Sequence, residues 1–299
     1  MARSRRYMPD MPGEPAPLFR RCFMNEVSML FARPRNRAVP AAAAAVSVLW
    51  ALAVWLVGGG AFPVTFPVTF NLEYSPLTVL AFMAEAFIPL QALLLAADLY
   101  TEARKYGLAR FASAAGVGAG VAYWSKFLAV LAYCAASFAA LFVVSSACAA
   151  LHPLRRAAAA MAPLAAAAAA DAPQAPALAG LVVAYAVTSA PMFVAASMAA
   201  LAANLSKSSF AAVASGLAAY VSLKVAGSFS GAVANASFTS YMQWHVLWAG
   251  KMPPTPRIAS IALLFGATGA ACLSGGYLAF TAGAAAAPAR RRKGGGDAP

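Results

Sequence analysis

The chain has 299 residues, of which 22 are Lys or Arg and 9 are Asp or Glu. Charged residues make up 10% and apolar residues 62%, against about 25% and about 45–50% in a soluble domain. So little charge cannot cover a water-facing surface of this size, which excludes a soluble globular enzyme, a disordered chain and a nucleic-acid binder. The net charge of +13 is therefore first a membrane-topology signal. Cys22, Cys134, Cys148 and Cys272 lie far apart and form neither a disulfide framework nor a metal-ligand spacing.

About 20 mostly apolar residues are needed to cross about 30 Å of hydrocarbon, so the gaps between charges mark the spans. Residues 1–37 are a basic N-terminal segment. Within it, residues 18–31 read as an interfacial helix: Leu18, Phe19, Cys22, Phe23, Val27, Leu30 and Phe31 share one face, while Arg20, Arg21, Asn25 and Ser28 lie off it. Pro34 should break that helix; the plainer alternative is a basic topology anchor. The first span is placed at 38–59, closed by Gly58-Gly59-Gly60 and the repeat FPVTFPVTF. The second, 76–97, is interrupted by Glu85, and a dense charged link follows from Asp98 to Arg110. The third, 127–151, leads into an Ala/Pro-rich link, read as coil or a short surface helix, before the fourth at 177–203. After the short link NLSKSS the fifth, 210–231, contains Lys224. An aromatic stretch from Ser237 to Arg257, read as an interfacial anchor or a substrate gate, precedes the sixth span at 258–282. The six spans form one membrane domain, 38–284, followed by a basic tail, 285–299.

An even span count puts both ends on one side. With both ends inside, cytoplasmic segments hold 17 of the 22 basic residues and external loops hold 4, the bias that the positive-inside rule requires. The expected fold is thus all-α and integral to the membrane, with N-terminus and C-terminus in the cytoplasm. No cleaved signal peptide is expected, because the first apolar run has the length of a span.

Few residues offer chemistry. No Walker A loop occurs, and GVGAG at 116–120 lacks the spacing and the preceding strand of a dinucleotide fingerprint. The only histidines, His152 and His245, fall in external links, so no metal centre and no cofactor is expected. An intramembrane enzyme has almost no candidate residues. Glu85 and Lys224 are the two charges inside spans, at similar depths below the outer surface. Ionisable groups there are costly and tend to face a cavity or each other. They are candidates for the translocation path, as an ion pair or as separate lining groups; Lys224 snorkelling to the surface is the bland alternative.

The charged link offers an interrupted apolar stripe beside Glu102, Arg104, Lys105 and Arg110, suited to lying in a partner's groove or simply to solvation. Here the chain resembles the ABC-2-type transporter permeases, the membrane subunits of ATP-binding-cassette exporters. Their first cytoplasmic link carries an acidic residue, a Glu, an Arg and a Gly, and then a Lys opening the next span. Glu102, Arg104, Gly107 and Lys126 match in order, while Ala103 and Leu108 depart where a second Glu and a Thr are usual. The basic N-terminal elbow, the six spans and the link ANLSKSS at 203–209 extend the resemblance along the chain.

The resemblance implies a permease subunit in a plasma membrane, that of a bacterial inner membrane. It implies pairing with a second copy or a paralogue and being driven by a separate ATPase. Glu102, Arg104, Lys105, Gly107 and Arg110 would form the coupling helix that docks on that ATPase. Membrane lipids are the remaining partner, and nucleic acid is not one. Two other readings need no ATPase: a secondary transporter or channel, and a membrane scaffold that transports nothing.

Overall fold

In hydrocarbon every backbone amide must find its partner within its own segment or in a closed barrel. In the computed structural model, which describes residues 18–56, 79–80, 83–105, 116–159, 178–242 and 255–286, the chain is almost entirely helical and has no strand among those residues. Helix α1 is Leu18–Ala32 and α2 is Pro34–Leu56, joined at Arg33 with Pro34 in the first turn of α2. A proline is well placed there, because its missing N–H would have had no partner. Helix α3 is one continuous run: a π turn Met83–Phe87, an α-helix Ile88–Ala96, a second π turn Ala97–Thr101 and a last α-helical turn Glu102–Lys105. Then come α4 (Ala119–Ala159), α5 (Leu178–Val187), α6 (Ser189–Leu205), α7 (Ser209–Phe229) and α8 (Gly231–Ala236). A 3₁₀ turn, Phe238–Tyr241, and the long α9 (Thr255–Ala286) complete the order.

Five helices among the described residues are long and apolar enough to cross a membrane: Met83–Thr101, Ala119–Cys148, Val182–Leu205, Ser209–Phe229 and Arg257–Gly283. They fall on the second to sixth spans read from the sequence. The first of the six, 38–59, falls on α2, which is helical to Leu56 but is not one of the five; its closing loop lies outside the described residues. Two boundaries move. The second span runs on to Thr101, because Asp98 is paired with arginines rather than solvated. The third begins at Ala119 rather than 127, three residues after a turn at Gly116, whose φ of 75° favours glycine.

Helix α6 is the hub. Val194, Ala195, Ala196, Ala199, Ala200 and Ala203 are all within 1% of full burial, packed on by α3, α4, α7 and α9. Small side chains let membrane helices come close, and van der Waals packing then replaces the missing hydrophobic drive. Glycines on the neighbours serve the same end. A Cβ at Gly216 of α7 would strike Leu93, one at Gly269 of α9 would strike Phe193, and one at Gly276 would meet the Tyr123 hydroxyl at 2.8 Å.

Hydrogen bonds cross the same contacts. Gln91 Nε2 donates to Ser137 Oγ (2.7 Å) between α3 and α4, and the Thr101 and Ser209 hydroxyls meet at 2.6 Å between α3 and α7. Tyr100 donates to the Tyr123 carbonyl (3.0 Å), and Tyr123 in turn to the Leu273 carbonyl (3.0 Å), tying α3, α4 and α9 into one chain of bonds. By contrast α7 and α9 bury only 17% and 22% of their apolar windows, against 72% for the second span, so they lie at the rim of the bundle.

Helix α1 packs along α4, but the face it buries is not the full stripe expected. Leu30 is buried and Phe23 and Val27 are partly so, whereas Leu18, Phe19 and Phe31 are exposed and Glu26 is buried in their place. The aromatic stretch after α7 also turns inward at its start. Phe238 and Met242 are buried against Tyr220, Ile261 and Phe265, so this part is bundle core rather than interfacial anchor. Trp244, His245 and Trp248 lie outside the described residues.

Candidate functional site

Helix α3 carries a carboxylate in each of its two π turns, Glu85 in the first and Asp98 in the second. A π turn places one more residue in the turn than α geometry does, reorients the side chain there and is frequent at functional sites. At about 1.5 Å per residue the two carboxylates stand roughly 20 Å apart along one helix.

At the first π turn, Lys224 Nζ of α7 forms an ion pair with Glu85 Oε1. Tyr220, one turn earlier on α7, donates its hydroxyl to the Glu85 carbonyl oxygen (2.9 Å). The same helix face therefore holds both the side chain and the backbone of Glu85. Side-chain exposures of 37% and 40% leave this pair open on one side, although both residues belong to spans. The structure thus brings together the two intramembrane charges singled out from the sequence.

At the second π turn the partners come from the joint between α1 and α2. Asp98 and Glu102 stand one helical turn apart, so both face the same way. Arg33 Nη1 approaches Asp98 Oδ2 at 3.2 Å and Arg33 Nη2 lies 2.6 Å from Glu102 Oε2. Arg35 donates through Nε to Asp98 Oδ2 (3.0 Å), pairs through Nη2 with Asp98 Oδ1, and reaches Glu102 Oε1 at 3.5 Å. Asp98 is the buried member at 4% side-chain exposure; Glu102 is at 28%. In this clamp Arg35 supplies a forked, directional contact to Asp98, whereas Arg33 Nη1 is buried without a hydrogen-bond partner among the described residues and holds Asp98 by charge alone.

A third pair lies between α1 and α4. Lys126 Nζ binds Glu26 Oε1, with both residues less than 10% exposed, and Glu26 Oε2 has no hydrogen-bond partner among the described residues. Lys126, read as the residue that opens the third span, is thus inside the helix and neutralised by α1.

Of the coupling residues, Glu102 is committed to the clamp and Lys105 is exposed on the last described turn of α3. Arg104 is described only as helical backbone, and Gly107 and Arg110 lie outside the described residues. The clamp goes beyond what the sequence reading offers. Arg33 and Arg35 count there as topology charges, yet two arginines flanking a helix break and two acids four residues apart are a readable signal. No group of three His, Cys, Asp or Glu side chains fit to hold a metal occurs among the described residues.

These clusters can hold charge at two levels of one bundle and fix helices against one another. They present no nucleophile paired with a base. The sequence matches no protein-family model and no curated protein.

Proposed function

We propose that this chain is the permease subunit of an ATP-binding-cassette transporter, six-spanning with both termini in the cytoplasm, working in a bacterial plasma membrane beside a second copy or a paralogue. A separate ATPase drives it. The carrying observation is the clamp of Arg33 and Arg35 on Asp98 and Glu102. The charged link leaves the membrane domain directly from the clamped end of α3. A push on that link reaches the second span and, through two arginines, the α1–α2 joint. Binding energy spent on the link can shift the bundle only if the link is mechanically tied to it, and only through different affinities for the two states.

The test is pull-down of a tagged full-length chain from gently solubilised membranes, followed by transport in proteoliposomes. A soluble ATPase with Walker motifs is expected to co-purify. Arg104→Glu should reduce its recovery. Asp98→Asn should leave recovery intact but separate ATP hydrolysis from transport. Recovery of no ATPase at all, or full transport in Asp98→Asn, overturns this reading.

The half-open Glu85–Lys224 pair favours a second reading, an ATP-independent transporter or channel whose path runs past these charges. Uphill or leak transport by the purified chain alone, lost in Glu85→Gln, would select it. A non-transporting scaffold predicts neither result.

A further inference from the structure

Between the third and fourth spans lies a groove of about 250 Å³. Phe138, Ala139 and Phe142 of α4 form one wall, and Val182, Tyr185 and Met192 of α5 and α6 form the other. Its origin is local. Helices α5 and α6 meet at a turn at Thr188 (φ −67°, ψ −10°), three residues before Pro191, where Thr188 N–H still donates to the Ala184 carbonyl and Met192 N–H to the Thr188 carbonyl, so the fourth span is distorted rather than interrupted. Proline has no N–H and its ring crowds the carbonyl four residues back, which is the usual cause of such a distortion.

We propose that this groove holds one acyl chain of a membrane phospholipid. Three observations select that occupant. The lining is apolar save for the hydroxyls of Tyr185 and Ser189, and the Tyr185 hydroxyl is already engaged with Ser145 Oγ at 3.1 Å. Such a cavity stays dry and takes hydrocarbon, as a cavity of about 150 Å³ takes benzene. Every lining residue lies within or between two membrane spans, and Val182 at the rim is half exposed, so the medium at the mouth is lipid. Finally, a groove of about 250 Å³ admits a run of methylenes along its length, whereas a helix about 10–12 Å across could reach into it only with single side chains. A single chain fits where a helix does not. The site does not depend on the transport reading, since a passive scaffold would hold the same chain.

The experiment uses the full-length protein in nanodiscs containing a phosphatidylcholine with a diazirine in mid-chain. After illumination, adducts are mapped by peptide mass spectrometry. Phe138, Phe142, Tyr185 and Met192 should carry adducts in excess of Leu263 and Phe210, which are far more exposed at 73% and 83%. Ala139→Leu, which fills the groove, should lower the groove adducts by about fourfold, the factor for one buried methylene, and leave those at Leu263 unchanged. Ala135→Val is the milder filling variant and decides the matter where Ala139→Leu is not monodisperse. Adducts that simply follow exposure, or that ignore both filling variants, overturn the proposal. So does a groove shielded from the probe by a neighbouring protein chain.

Discussion

A charge inside a membrane span is tolerated only where something answers it, and Glu85 is answered twice, by the Lys224 ammonium and by the Tyr220 hydroxyl on its carbonyl. Removing one member of a fully buried pair costs about 3–5 kcal/mol. With more than a third of each side chain exposed, screening reduces this, and we expect about 1–3 kcal/mol for Glu85→Gln or Lys224→Gln alone. The double neutral variant and the exchange Glu85→Lys with Lys224→Glu should both recover most of the loss. Thermal unfolding in detergent reads the four variants; strictly additive losses would show that the two groups do not interact. This pair was legible in the sequence, because a lone acid and a lone base at similar depth in two spans each need a partner and can supply it to each other. The buried Glu26–Lys126 pair was not. Glu26 sits among apolar positions on α1, and a charge near a span end is ordinarily spent on topology.

Helices themselves were legible wherever a charge opened a long apolar run, as Lys207 does before α7 and Arg257 at the start of α9. The π turns were not. Each shifts the apolar register by one residue within a 19-residue span, and no residue type marks the shift. Nor could the sequence separate glycines that permit a helix crossing from glycines that merely reflect composition, because that depends on what faces them. The structure separates them. Gly276 stands 3.4 Å by its would-be Cβ from the Leu201 backbone and 2.8 Å from the Tyr123 hydroxyl, whereas Gly266 has nothing within 4 Å. Gly276→Ala should therefore lower the melting temperature of the purified protein and weaken the α6–α9 contact. Gly266→Ala should hold or raise it, since alanine is favoured over glycine in a helix by about 1 kcal/mol. Equal effects at the two sites would mean that α9 does not pack on α6 in this way.

For the whole molecule, the proposed orientation makes a direct demand. Fusions of a fluorescent protein to either end should fluoresce, and alkaline phosphatase at the same ends should be inactive, because only the cytoplasmic side supports the first and only the opposite side the second. Opposite results at the two ends would mean an odd number of crossings and would remove α2 from the set of spans. The distribution of 17 against 4 basic residues favours the same side for both. What composition could not convey is that the helices are unequal. The second span and α6 are central and closely held, while α7 and α9 stand at the edge with most of their surface uncovered.

The pair of π turns in α3 has a mechanical corollary. A turn that gives up its extra residue to α geometry rotates whatever lies beyond it by about 100°. Because one such turn sits at each end of Ile88–Ala96 and both are already wide, relaxing either to α geometry would turn that segment against the end beyond it, and relaxing both would add the two rotations. The grip of Lys224 on Glu85 and of the two arginines on Asp98 falls on those turns themselves, so the ion pairs act as latches that keep both turns wide and hold Gln91 at Ser137.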